Sequence, residues 1–269
     1  MKKVNQPPTS TFLVGPGVAL GEGIFETMRA VDGTIRHWSS HRERLLRSHR
    51  ALSGGLWRPD LDTLPLLRWV TEHLETRQLM HGEARVRLAL HAGPAEGAGE
   101  VIVDARAMAP SIQRRRTGIN PWIVPWRPPI TAAWKTTSYL PYLWAARLAD
   151  AQAREAGVAE PVEPLLVDAH TAEVLEGATW NIFVVEGRTL RTPPLDGRIL
   201  PGTSRHQLIE RARARGWTVV EAAVTTEMLS NSDGVLATNA LLPVAPLACL
   251  NGHTPLAHPT TALAELGLW

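Results

Sequence analysis

The chain has 269 residues, 44% hydrophobic and 20% charged, with a formal net charge of +2, a composition that excludes a disordered chain and gives room for two hydrophobic cores. The pI near 9.0 rests on scattered arginines and one compact basic cluster, "QRRRTG" at 113–118, which reads as a solvated connector and argues against a nucleic-acid partner, since such proteins concentrate charge on a face. The lone Cys249 excludes an intramolecular disulfide and a multi-cysteine zinc site, no stretch approaches the roughly 20 apolar residues of a membrane span, and "MKKVNQPPTS" lacks the apolar run of a signal peptide, so a cytoplasmic enzyme with no metal and no membrane partner is expected.

In chain order, "GIFETMRA" reads as a strand from Ile24 to Ala30, closed by a turn at Asp32-Gly33 and a short second strand. A helix follows, capped by Ser39 or Ser40. The apolar spacing of "LDTLPLLRWVTEHLETRQL" predicts a second helix, and "EARVRLALHAG" and "GEVIVDARAM" alternate like two paired strands. Past a boundary placed between 108 and 120, "INPWIVPW" is strand-like, and Pro141 sits where a first-turn proline would open a helix that Gly157 closes. "EPLLVDA" is a strand, "NIFVVEGRTLRT" a hairpin around Glu186-Gly187, and "LPGTSRHQLIERARARG" a helix from Thr203 or Ser204. "GVLATN" reads as the last strand before a turn-rich tail. The ten tryptophans are spread along the chain and read as packing residues, and no internal repeat is visible.

Three features carry chemistry. Of 28 Lys and Arg residues only Lys2, Lys3 and Lys135 are lysine. A guanidinium stays charged at any useful pH, whereas an amine can lose its proton and become a nucleophile, so Lys135 in "AAWKTTSYLPYLW" suggests Schiff-base chemistry. An ordinary surface lysine is the competing reading. In "PPLDGRILPGTSRHQLIE", Thr203 and Ser204 offer hydroxyls where a helix start exposes unpaired N–H groups, which suits phosphate, although plain N-capping explains the same pair. Glu176 in "AEVLEGATWNIFVV" falls at a strand edge, where a carboxylate would hold a protonated ring nitrogen; a surface glutamate is the alternative.

Taken together, Lys135 before a Tyr-Leu helix start, "EGATWNIF", "TPPL" with "ILPGTSR", and "TNALLPVAPL" resemble the fold-type IV pyridoxal-phosphate enzymes, the class IV aminotransferase family. "GEGIFETMR" and "HRERLLRS" match the family in the same order, so the resemblance spans roughly residues 20–250. It implies an α+β chain of two domains, a small N-terminal α/β sandwich at 1–112 and a larger, β-barrel-like domain with helices at 121–269, joined by 113–120. By the same resemblance Lys135 would carry pyridoxal 5'-phosphate, Glu176 would pair with its ring nitrogen, and Arg44 would clamp the phosphate with Thr203 and Ser204. Leu200 would pack on one ring face, Tyr139 would meet the phenolate oxygen, and Asn239 and Ala240 would approach phosphate and substrate. His41 matches a histidine of structural role. A homodimer is implied, with active sites completed across the interface.

The sequence is most similar to 4-amino-4-deoxychorismate lyase. Thr27 in "FET" and "TNALLPV" are lyase-like, and Thr27 is expected to act on the leaving group as Lys135 removes a proton from a small amine substrate. A D-amino acid or branched-chain aminotransferase is the alternative. Phe25 stands where D-amino acid enzymes have tyrosine, and Ala92 where their "TRG" turn has the carboxylate-binding arginine; His91 is the candidate to replace it, against a reading as a packed or solvated histidine. Residues before about 18 depart from the family pattern.

Overall fold

The computed structural model describes residues 20–53, 61–62, 64–92 and 99–268. The departure before residue 18 lies outside the described residues, as do the side chains of Arg114 and Arg116 in the basic cluster.

Two sheets organise the chain. In the first, β1 (Gly23–Val31) lies between β2 (Thr34–Ile35) and β3 (Glu83–Ala92), and β4 (Gly99–Ala107) pairs with β3, all antiparallel. Asp32 and Gly33 both have positive φ, 46° and 73°, the left-handed pair that a two-residue hairpin turn demands. Strand alternation divides the residues by face. Ile24, Met28, Val86 and Leu88 point into a core against α1 (Trp38–Ser53) and α2 (Leu66–Thr76), where Leu45, Leu46, Val70 and Leu74 meet them. Each such side chain contributes about 1.5–3 kcal/mol by leaving water. Phe25, Thr27, Arg85 and Arg87 are on the other face.

Ser39 and Ser40 do not cap α1: the helix starts at Trp38, after His37 in a left-handed conformation (φ 53°), and the His41 N–H donates to the His37 carbonyl to close the first turn. The second helix is shorter than its apolar spacing suggests, because Pro65 holds the N-cap position and the helix proper begins at Leu66.

Between the sheets the chain makes α3 (Pro110–Arg114) and a single 3-10 turn at Arg115–Thr117. The second sheet is curled. β5 (Pro121–Trp126) runs parallel to β6 (Glu163–Asp168), with α4 (Leu140–Glu155) between them in sequence; β6 pairs with β7 (Glu173–Gly177), β7 with β8 (Asn181–Glu186), and β8 with both β9 (Thr189–Thr192) and β12 (Gly234–Thr238). β12 pairs with β13 (Ala245–Pro246), and Ile119, two residues before β5, donates to Pro246 and accepts from Ala248. These bonds close a ring of strands, the barrel-like form the family resemblance implies. α4 packs Ala145 and Ala149 of its buried alanine stripe against Val124, Trp126 and Leu166. Pro141 falls in its first turn and Gly157, at φ 78°, follows its end, as the sequence leads one to expect.

β10 (Thr218–Glu221), parallel to β9, and β11 (Val224–Thr225), antiparallel to β7, follow α5 (Thr203–Ala214), and α6 (Thr226–Asn231) follows β11. "GVLATN" is not the last strand: β13, then β14 (Cys249–Leu250) with β15 (Thr254–Pro255), and α7 (Thr260–Glu265) complete the chain. No helix among the described residues is long and apolar enough to cross a membrane.

Candidate active site

β2 is so short that it pairs only with Ala30 and Val31, which leaves the start of β1 with an unpaired edge. The loop after β5 uses that edge. The Phe25 N–H donates to the Lys135 carbonyl (2.9 Å), and the Thr137 N–H donates to the Gly23 carbonyl (2.8 Å). Lys135 is thus fixed by a strand of the first sheet while belonging to the sequence of the second. Its ammonium projects into a cavity of about 260 Å³, 4.7 Å from the Phe25 ring centroid. Lys135 is partly exposed as a residue, but its charged end is enclosed; burial, with the Arg44 charge adding to it, lowers its pKa to about 8. An amine that titrates there is available as base and nucleophile near neutral pH.

Glu176 on β7 is 5% exposed and lines the same cavity. Its Oε2 accepts from Asn181 Nδ2 (3.0 Å) and from the Leu200 N–H (3.2 Å), yet burial outweighs these bonds and raises the carboxyl to about 8. A carboxyl so buried can pair with a cation brought into the cavity. Asn181 also donates to the Leu200 carbonyl (2.9 Å), so one side chain orders both Glu176 and the chain entering α5. Gly202 makes this possible: a Cβ built there would lie 1.9 Å from Asn181 Oδ1. Gly202→Ala should therefore displace Asn181, costing about 1–3 kcal/mol of stability and weakening cofactor uptake, measurable by thermal melting and absorbance titration.

Arg44, from α1, is 4% exposed and reaches the cavity wall. Its Nε and Nη2 donate to Glu26 (2.8 and 2.6 Å) and its Nη1 donates to the Pro201 carbonyl (3.1 Å) just before α5. His41 Nδ1 lies 2.6 Å from the same carboxylate. Burial alone would raise Glu26, but the charge and hydrogen bonds of Arg44, joined by His41, hold it at about 2. Arg44 keeps one N–H on each of Nη1 and Nη2 beyond these bonds. Thr203 and Ser204 are the first residues of α5 and line the cavity, and the N-cap is Gly202, so neither serves as the cap. The N–H groups of this first turn have no partner within the helix.

The remaining predicted residues divide clearly. Thr27, Phe25, Leu200, Tyr139, Asn239 and Ala240 all line the cavity. The Tyr139 hydroxyl donates to the Ala178 carbonyl (2.5 Å), and burial, with the Glu176 charge, pushes its pKa up. Asn239 Oδ1 accepts from the N–H groups of Leu241 and Leu242 (3.0 and 2.7 Å), so that side chain shapes its own loop. His91 is placed elsewhere: it lies against Gly23, its partner across the β1–β3 ladder, and is not a lining residue. No cluster of His, Cys, Asp or Glu among the described residues could hold a metal.

Sequence reasoning missed Arg85 and Arg87, which face the cavity from β3. Arg87 stands directly across from Thr27 in the ladder, with its guanidinium carbon 3.8 Å from the Phe25 centroid. It makes no ion pair among the described residues, whereas Arg85 reaches Asp104 at 3.6 Å. The alternation "RVRLAL" held the signal that 85 and 87 share a face, but not which face meets the second sheet. Also missed was Thr238, whose buried Oγ1 has no hydrogen-bond partner among the described residues and which lines the cavity.

Buried amine, buried carboxylate, arginine and open helix start thus converge on one cavity. The family model for class IV amino-transferases matches residues 23–249, which include every one of these groups. The chain belongs to the class IV aminotransferase family. Within the class IV relatives, a putative branched-chain-amino-acid aminotransferase of Methanocaldococcus jannaschii is 29% identical over 94% of this chain and 86% of its own. The aminodeoxychorismate lyase of Bacillus subtilis is 28% identical over 86% and 78%. A hypothetical aminotransferase from Mycobacterium tuberculosis, in its PLP-bound form, shares the fold at a TM-score of 0.81 and 24% identity, covering 97% and 93% of the two chains.

Proposed function

We propose that this class IV enzyme is a pyridoxal-phosphate-dependent lyase that converts 4-amino-4-deoxychorismate to p-aminobenzoate and pyruvate. The observation that carries the cofactor is the convergence of Lys135, Glu176, Arg44 and the α5 start on one cavity. The chemistry of these groups suits it. Arg44, the first-turn N–H groups and the unsatisfied Thr238 hydroxyl offer donors to a phosphate, Glu176 answers a protonated pyridine, and Lys135 offers the amine for covalent attachment. When bound, the cofactor supplies the electron sink.

The residues of this chain do the rest. Lys135 takes the proton from the amine-bearing ring carbon as the neighbouring C–O bond breaks, and pyruvate leaves as its enol, with Thr27 donating a hydrogen bond to the departing oxygen. Arg87 and Arg85 supply charge for the two carboxylates of such a substrate, Arg87 through a guanidinium with no ion pair among the described residues. Phe25 lies against both Arg87 and Lys135, and Tyr139, its hydroxyl held by the Ala178 carbonyl, lines the wall beside the cofactor ring. The two sheets would then form separate domains joined at 113–120, and the active unit would be a homodimer.

A second reading has support in the M. jannaschii relative, which covers nearly the whole chain: transamination, in which Lys135 moves a proton and leaves the amino group on the cofactor. The two separate in one assay. Release of p-aminobenzoate from aminodeoxychorismate is expected; none, with keto acid formed from D- or L-amino acids instead, overturns the lyase reading. Arg87→Ala should raise KM for a diacid substrate by about 10–100-fold, the loss of a charged hydrogen bond of about 1.5–3 kcal/mol, with kcat less affected. Steady-state kinetics would show it.

A further inference from the structure

A second cavity, of about 480 Å³, lies behind the first, and Ser204 and Ala240 line both. Its walls are basic. Arg29, Arg36 and His37 come from the β1–β2 hairpin, and Arg211 and Arg215 from the far end of α5. Glu210 is the single acid among the lining residues, and it is engaged by Arg213 at 3.3 Å. The chain as a whole has a net charge of only +2, so this concentration of cations is local to the groove.

The arginines are only partly satisfied. Arg36 and Arg215 make no ion pair among the described residues. Arg29 gives Nη2 to Glu83 (2.5 Å), but its Nε is buried without a partner among the described residues. Arg211 donates to the carbonyls of Leu266 and Gly267 (3.3 and 2.9 Å), which fixes the guanidinium without neutralising it. The mutual repulsion registers on His37, whose pKa is lowered by burial first and then by the charges of Arg36, His41 and Arg211. Like charges held this close in a cleft cost free energy that an anion would recover.

We propose that this groove is a binding site for a small polyphosphate, carrying at least two phosphoryl groups, seated on Arg36, Arg211 and Arg215 against the outer side of α5. Guanidinium forks from separate elements suit phosphoryl oxygens better than a single carboxylate, and several cations call for several charges. Inorganic polyphosphate and the tail of a nucleotide share this chemistry. Because Ser204 and Ala240 belong to both walls, an occupant touches the rim of the cofactor cup from outside.

Isothermal titration of the purified protein with sodium tripolyphosphate, and separately with ATP and ADP, with and without added pyridoxal phosphate, tests this. Saturable binding that weakens as salt rises and persists when cofactor is present is expected. Arg36→Glu and Arg215→Glu should each weaken it at least tenfold, and the pair should abolish it, while cofactor absorbance and basal turnover stay at wild-type level. Tighter binding of tripolyphosphate than of ATP marks an inorganic ligand, and the reverse a nucleotide. No heat beyond dilution, binding that survives the double substitution, or displacement of cofactor by tripolyphosphate overturns the proposal. So does tighter binding of a single-stranded oligonucleotide. Arg36→Gln with Arg215→Gln repeats the test without charge reversal if the glutamate variants lose their thermal transition.

Discussion

Replacing Lys135 with alanine should lower turnover by about 10²–10⁴-fold or more, because one side chain supplies both the covalent anchor and the proton acceptor. Lys135→Arg should be nearly as inactive. It restores the charge, but a guanidinium neither condenses with an aldehyde nor gives up a proton at neutral pH, so the pair of variants separates amine chemistry from electrostatics. Wild-type protein treated with borohydride should yield a peptide with a pyridoxyl mass on residue 135, and neither variant should. The same substitution should not lower the melting temperature. The ordinary lysine value of 10.5 drops to about 8 in the folded chain, so at pH 7 folding disfavours the proton and the enclosed ammonium is a cost. A loss of activity with unchanged or raised thermal stability is the signature of a residue kept for chemistry. Full activity in Lys135→Ala, or a pyridoxyl mass on another residue, would sink the assignment.

What could be read from the sequence depended on how local its cause was. The β1 hairpin was legible because Asp32-Gly33 dictates its own turn, and α4 and α5 because proline and glycine mark their ends. Lys135 stood out from composition alone, as the one lysine beyond residue 3 in a chain that otherwise uses arginine. The start of α1 was missed, since nothing in "IRHWSS" announces a left-handed His37. Among the short strands after residue 240, β13 was missed because it is held between β12 and the chain before β5, the latter more than a hundred residues away, and β14 and β15 because two-residue strands carry no alternation to read. Arg87 and Glu26 are the instructive pair. Both lie on strands whose alternation is plain, but Arg87 gains its role only when the second sheet covers its face. Glu26 occupies a core position where a carboxylate looks wrong until Arg44 and His41 arrive from α1.

That core carboxylate is where the fold is most exposed to a single change. Glu26 is 1% exposed and Arg44 is 4% exposed, so Glu26→Gln leaves a guanidinium buried without its anion while preserving shape. Breaking one side of such a pair costs about 3–5 kcal/mol, far more than an exposed ion pair is worth. In a chain of this size that corresponds to a fall in melting temperature of roughly 6–20 °C. The pH dependence gives an independent check. Folding holds Glu26 at about 2, below its ordinary 4.5, so its contribution is fully present above pH 4.5 and is lost as pH falls from there toward 2. Across that window the difference in stability between wild type and Glu26→Gln should shrink, and calorimetry at pH 7, 4 and 3 would follow it. Because Arg44 also holds the Pro201 carbonyl at the entry to α5, the variant should bind pyridoxal phosphate more weakly even at temperatures where it remains folded. Wild-type cofactor affinity in folded Glu26→Gln would show that Arg44 is aimed by Pro201 alone, and that the carboxylate serves stability without organising the phosphate end of the cavity.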